Sequence, residues 1–254
     1  MRKMKSNKIV IKVGTSTIQN GELNLQVIEN LVKTICELKR QGKQIVLVTS
    51  GAIGVGMARL GLKSRPTEIA KKQALASVGQ SLLMGVYDKF FQKHNQAIGQ
   101  VLLTKDCVDN EKRFANAVNT FNALLNMGVV PVVNENDTVA IDEIVVGDND
   151  TLSAYVSNII SADLLIILSD IDGFYDCFPS GKIFDEINTL TADMKKCAGG
   201  AGTENGTGGM ATKLKAVEIA HRSNTKTILM KGDDPTKILC VIKGERHGTY
   251  FNLN

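Results

Sequence analysis

Residues 164–168 read Leu-Leu-Ile-Ile-Leu, five apolar side chains in succession with no polar alternation. A strand with one wet face alternates apolar and polar residues. A strand buried on both faces does not, and such strands sit in the middle of parallel sheets covered by helices. The rest of the chain agrees. Short β-branched runs at 9–13, 45–49, 97–103, 129–133 and about 227–230 alternate with longer segments whose apolar residues recur at helical spacing. Leu25, Ile28, Leu31, Val32, Ile35 and Leu38 mark one helix face. Ala70, Ala74, Val78, Leu82, Val86 and Phe90 mark another, in a long helix opened near Pro66, and Phe114, Val118, Phe121 and Leu125 mark a third. A further helix is predicted from about 210 to 221, with 248–251 an edge strand at best. The pattern predicts an α/β fold, a three-layer αβα sandwich around a mainly parallel central sheet. No repeat or linker divides the 254 residues, which suffice for one large domain.

Composition excludes several classes of partner. The net charge is +4, and four basic residues (Arg2, Lys3, Lys5 and Lys8) fall in the first eight positions, as a solvated arm. A nucleic-acid partner would require a concentrated basic stripe on a recognisable reading element, and neither is present. Cys36, Cys107, Cys177, Cys197 and Cys240 are odd in number and lack close metal-ligand spacing, which predicts reduced cysteines in a cytoplasmic protein. His94, His221 and His247 are scattered, which gives a histidine-based metal or acyl-transfer site little support. The apolar run behind the basic N-terminus is about five residues long and broken by Lys12, so neither a signal peptide nor a membrane span is expected.

Ligands of open parallel sheets collect beyond the strand C-termini. The first strand ends there in Lys12, followed by Gly14-Thr15-Ser16-Thr17. Lys12 alone reads as a solvent-facing strand residue. Ahead of small residues whose N–H groups can converge on an anion, it reads better as the cation of a phosphate site. The second strand ends in Thr49-Ser50-Gly51-Ala52-Ile53-Gly54-Val55-Gly56, either a structural turn or a set of donors for a carboxylate or phosphoryl group. Asn134-Glu135-Asn136-Asp137 follows the fourth strand, as a turn or as a site where Asn134 and Asp137 hold an ammonium group. Asp148, Asn149 and Asp150 precede a helix. One of the three suffices as its cap, leaving the others for ligands, and an aspartate between two lysines can fix both ammonium groups. Ser169 and Asp170, beyond the most buried strand, suit polar contacts to a nucleotide, with a nearby ring for its base. The stretch 206–213 matches GxGxxA by letter but follows no strand, and no GxxxxGK[ST] loop exists. Its better reading is a helix N-terminus with Lys213 one turn in, facing a phosphate. Two cations, a carboxylate and small-residue loops are the means of in-line phosphoryl transfer. The chain reads as a small-molecule kinase.

Residues 10–16 (VIKVGTS), 49–53 (TSGAI), 72–80 (KQALASVGQ), 100–104 (QVLLT), 134–139 (NENDTV), 147–150 (GDND) and 206–213 (GTGGMATK), in this order, resemble the glutamate 5-kinase branch of the amino acid kinase family. The resemblance runs from residue 8 to about 251. It implies one catalytic domain over 1–254, with about 1–160 mainly glutamate-binding and about 161–254 mainly ATP-binding. It implies transfer of the ATP γ-phosphate to the side-chain carboxylate of L-glutamate, the first step of proline synthesis. Lys12, Asp150 and Lys213 would be catalytic. Ser50, Gly51, Ala52, Asn134, Asp137, Asp148 and Asn149 would bind glutamate. Lys12, Gly14, Ser169, Asp170, Thr207, Gly208, Gly209, Met210, Ala211, Thr212 and Lys213 would bind ATP, with Mg2+ held mainly through its phosphates. Proline as feedback inhibitor and a homo-oligomer, dimer or tetramer, are also implied. The family usually has threonine at Ser169 and leucine at Phe174. Many members continue into a C-terminal domain of the PUA type, which does not follow Asn254 here. The competing readings are a sister kinase acting on N-acetylglutamate, aspartate or carbamate, and a non-catalytic amino-acid sensor.

Overall fold

The strand β1 (Lys8–Val13) sits at the centre of the sheet because both its edges are paired in parallel. One neighbour is β4 (Gln44–Val48), with Ile11 opposite Leu47. The other is β7 (Leu164–Ser169), the all-apolar run, with Ile11 opposite Ile166. The computed structural model describes residues 6–139, 149–176, 181–198 and 209–253. In chain order, β1 leads into the short helix α1 (Thr15–Ile18) and a hairpin of β2 (Gln19–Asn20) and β3 (Glu22–Leu23). The helix α2 (Leu25–Arg40) follows, capped by Asn24, whose side chain accepts from the Val27 N–H. After β4 come α3 (Ala52–Arg59), α4 (Ile69–Gln92), β5 (Ile98–Leu103), α5 (Asp106–Asp109), α6 (Glu111–Asn126) and β6 (Val130–Glu135). The second half holds α7 (Asn149–Ile160), β7, β8 (Glu186–Ile187), α8 (Ala192–Ala198), α9 (Met210–His221), β9 (Lys226–Lys231), α10 (Lys237–Lys243) and β10 (Thr249–Phe251).

The main sheet has the order β5-β6-β4-β1-β7-β9-β10-β8. Its pairings are parallel except for β10 against β9. The expected edge strand at 248–251 is therefore an interior one, because the two-residue β8 closes the sheet beyond it. Strand parity divides the core in two. Ile9, Ile11 and Val13 point with Ile45, Leu47, Leu164 and Ile166 toward α2, α4 and α10. Val10, Val46, Val48, Leu165 and Ile167 point the other way, toward α6, α7 and α9. This is the expected three-layer sandwich, and the same parity turns Lys12 toward α7 and α9.

The expected stripe on the long helix is displaced. Ala70, Ala74 and Leu82 are exposed, Val78 and Val86 are half-buried and Phe90 is buried as expected, while the buried face also carries Leu75, Ala76, Gly79, Gln80, Leu83, Tyr87 and Phe91. The cause is close packing of α3 on α4. A Cβ at Gly79 would overlap the Ala52 carbonyl oxygen, and one at Gly56 would overlap that of Leu75. Missing side chains, rather than the largest apolar ones, set this contact. Residues 52–56, read above as a small-residue loop, are accordingly the first turns of a helix. Gly51 precedes it at φ 97°, a left-handed conformation open to glycine.

Candidate active site

The first turn of α7 carries two adjacent polar residues that join separate clusters. Asp150 is fully buried, and its two oxygens face two ammonium groups: Lys12 Nζ at 2.5 Å and Lys213 Nζ at 3.0 Å. Both lysines are themselves buried. Lys12 arrives from the end of β1 and Lys213 from the first turn of α9, so the three side chains converge from three elements of one core layer. Burial alone would push the Asp150 carboxyl upward. The ammonium groups of Lys12 and Lys213, and their hydrogen bonds to it, outweigh burial and hold it below the ordinary carboxylate range. Its place at a helix N-terminus adds to that stabilisation. The three groups sum to one net positive charge, the sign a phosphate site requires. Asp150 is thus a core residue in the first turn of the helix that it was expected to precede.

Small residues flank this triad. A Cβ at Gly14 would stand 3.4 Å from Lys12 Nζ and 3.7 Å from the Leu168 carbonyl oxygen. Both are ordinary contact distances, so Gly14 lies directly against the lysine and the end of β7. Ser169 ends β7, buried, and its Oγ donates to Asp170 Oδ1 at 3.0 Å, while Asp170 is exposed. On the far side Gly209 caps α9 and accepts from Thr212 Oγ1 at 2.7 Å, with Met210 and Ala211 opening the helix toward Lys213. Thr207, Gly208 and Asp148 lie outside the described residues. No ring for a base comes from Phe174, which is 2% exposed and packs on Phe184 and Phe251 with centroids at 5.9 and 6.4 Å.

Asn149 heads the second cluster. Its Nδ2, with two hydrogens, stands within hydrogen-bond distance of three acceptors, the Thr49 carbonyl at 2.7 Å and Ser50 Oγ and Asn134 Oδ1 at 2.9 Å each. Asn134 Nδ2 in turn donates to Gln80 Oε1 at 2.8 Å. Asn134 and Glu135 belong to β6, so the expected four-residue turn begins only at Asn136. Asp137 lies in that turn, closed by the Val139 N–H donating to the Asn136 carbonyl at 3.1 Å. Burial pushes the Asp137 carboxyl above its usual value, with the Arg65 guanidinium acting in the opposite direction. Gly51 and Ala52 adjoin Ser50 at the start of α3. Of this cluster, Gln80 is the member that sequence reasoning did not assign. Its signal was a polar residue among the apolar positions of a long helix. Among the described residues, Cys240, Glu245 and His247 also bring ligand atoms within 4.8 Å of one another, a grouping not visible in their spacing.

A doubly wound sheet whose C-terminal edge gathers two ammonium groups on one carboxylate defines a phosphate-handling α/β protein. The chain belongs to the amino acid kinase family, whose sequence profile matches residues 7–231. It is similar to the glutamate 5-kinase of Clostridium tetani, at 48% identity over 96% of this chain and 94% of that protein. It is 50% identical to the glutamate 5-kinase of Listeria innocua, over 97% of this chain and 93% of that one. Among solved structures, the carbamate kinase of Giardia lamblia matches with a TM-score of 0.69 at 12% identity, over 98% of this chain and 99% of that one. The isopentenyl phosphate kinase of T. acidophilum matches with a TM-score of 0.66 at 15% identity, over 96% and 99%. These two likenesses concern the fold.

Proposed function

We infer that the protein transfers the γ-phosphate of ATP to the side-chain carboxylate of L-glutamate, giving L-glutamyl 5-phosphate and ADP, the first step of proline synthesis from glutamate. The observation that carries this reading is the adjacency of Asn149 and Asp150 on α7, within a chain half-identical to glutamate 5-kinases. One residue reaches the Ser50–Asn134 cluster and the next holds both lysines, so an amino acid on one side and a phosphate on the other meet at a single helix turn.

The chemistry follows from charge. A carboxylate attacking a γ-phosphoryl group is already ionised at neutral pH, so no general base is required. Asp150, held ionised between two cations, is unsuited to be one. The task is to bring anions together and neutralise them. Lys12 and Lys213 counter the charge on the transferring oxygens, and Asp150 fixes where their ammonium groups stand. Ser50, Gly51, Ala52, Asn134, Asp148 and Asn149 hold glutamate, with Asp137 on its ammonium group. Gly14, Ser169, Asp170 and the 207–213 segment hold ATP. Residues up to about 160 thus serve mainly the amino acid and those after it mainly the nucleotide. Both Asp150 oxygens are engaged by lysines, so the ion triad offers Mg2+ no open carboxylate. The metal is held mainly through the ATP phosphates and supplies further neutralising charge. We assign the enzyme to the cytoplasm, as a homo-oligomer subject to feedback by proline. Among the described residues no helix is long and apolar enough to cross a membrane.

ADP release from a panel of acceptors, with hydroxylamine trapping of the acyl phosphate, tests the reading. Free glutamate is expected to be turned over. Turnover of N-acetylglutamate, aspartate or carbamate in its place would overturn it in favour of a sister kinase. Glutamate binding without ATP consumption would favour a sensor. Size-exclusion with light scattering and proline titration test the assembly and the feedback.

A further inference from the structure

Three primary amides stand in line between α4 and α7. Gln80 Oε1 accepts from Asn134 Nδ2 at 2.8 Å, and Asn134 Oδ1 accepts from Asn149 Nδ2 at 2.9 Å. Gln80 is 9% exposed and Asn134 2%. Asn134 Oδ1 also accepts from the Glu135 N–H at 2.9 Å, so the amide is oriented from both ends. Two atoms of the line, Gln80 Nε2 and Asn149 Oδ1, are buried with no hydrogen-bond partner among the described residues. Buried polar atoms are nearly always paired, and exceptions concentrate where a ligand or water completes the set.

We propose that Gln80 is a positioning residue of the amino-acid pocket, a deepening that rests on the glutamate reading above. It anchors Asn134 Nδ2, which in turn sets where Asn149 presents its carbonyl. The reasoning is one of satisfaction. Without the Gln80 oxygen, Asn134 Nδ2 is buried and unpaired. Rotating the amide to relieve that withdraws Oδ1 from Asn149 and from the Glu135 N–H. Asn149 keeps Thr49 and Ser50 as acceptors but loses the support that fixes its plane. The ion triad is untouched, since none of its three side chains bonds to Gln80. The effect therefore falls on glutamate binding and not on the transferring group.

The test is steady-state kinetics with both substrates varied, on wild type, Gln80→Met, Asn134→Ala and the double variant. Gln80→Met preserves length and removes the acceptor. It should raise the glutamate KM about tenfold, the worth of about one buried hydrogen bond, with kcat and the ATP KM within about twofold of wild type. In the Asn134→Ala background it should raise the glutamate KM no further, because the amide that Gln80 anchors is gone. An unchanged glutamate KM in Gln80→Met, a parallel loss of kcat, or a full additional rise in the double variant would overturn the proposal. If Gln80→Met does not fold, Gln80→Ser, which adds no bulk, carries the same expectations and the same refutation. Wild-type protein that does not phosphorylate glutamate at all would instead refute the function proposed above, whatever the variants do.

Discussion

Replacing Asp150 by asparagine keeps the side chain's size and one oxygen but removes the charge facing two buried ammonium groups at 2.5 and 3.0 Å. Breaking a buried ion pair from one side costs about 3–5 kcal/mol. The lower end applies, because both lysine tails retain some exposure, at 8%, and can turn outward. For a chain of this size each kcal/mol lowers Tm by about 2–4 °C, so a fall of about 6–12 °C is expected by scanning fluorimetry. The gap should depend on pH in a defined sense. The Asp150 pKa is depressed in the folded protein, so its stabilisation is present above the ordinary carboxylate value and lost as pH falls through the depressed one. The two melting curves should therefore converge in acid. In turnover, misplaced lysines act on the transition state, so kcat should fall about 10²–10³-fold with smaller changes in either KM. A variant with near-wild-type kcat and unchanged Tm, or one altered only in glutamate KM, would refute the reasoning.

Three further outcomes follow from the same geometry. Lys213→Ala should lower kcat by about 10²–10³-fold, with glutamate KM little affected; near-wild-type kcat would remove Lys213 from the mechanism. Asp137→Asn should mainly raise the glutamate KM, and in wild type that KM should climb with acidification at a higher pH than an ordinary aspartate would give, because burial raises the Asp137 pKa and only its ionised form holds an ammonium group. A pH-independent wild-type KM down to the ordinary aspartate range would contradict the assignment. Gly79→Ala should destabilise the fold by about 1–3 kcal/mol and weaken glutamate binding, since the new methyl pushes against the Ala52 carbonyl at the start of α3; an unchanged melting curve would show that α3 and α4 need not approach so closely.

Much of this fold was legible because its signals are local. The unbroken apolar run of β7 marked the sheet centre, and α9 falls at 210–221, where the glycine stretch was expected to open a helix. The ion triad was legible as residue types: Lys12, Asp150 and Lys213 each stand beside small residues at an element boundary. Their meeting depends on strand parity at β1 together with the placement of α7 and α9, which is tertiary information. The α4 face was misread because it is set by glycines fitting against carbonyl groups, a contact that an apolar count overlooks. Asp150 was placed ahead of the helix and not in the core because its burial is decided by partners far away in sequence. Gln80 escaped notice for a related reason. A glutamine on a helix is ordinary until the chain brings Asn134 within 2.8 Å of it.

The central claim is that phosphate moves onto the glutamate side-chain carboxylate. Its most direct test uses glutamate carrying heavy oxygen in that carboxylate, with ATP and hydroxylamine. Attack by a carboxylate oxygen on the γ-phosphorus, followed by hydroxylamine capture at the acyl carbon, leaves that oxygen on the released phosphate. Mass spectrometry should find one heavy oxygen per phosphate, at a rate that falls with kcat in Asp150→Asn and Lys213→Ala. Phosphate free of the label would mean that water, not the substrate carboxylate, received the phosphoryl group, and the account would be wrong.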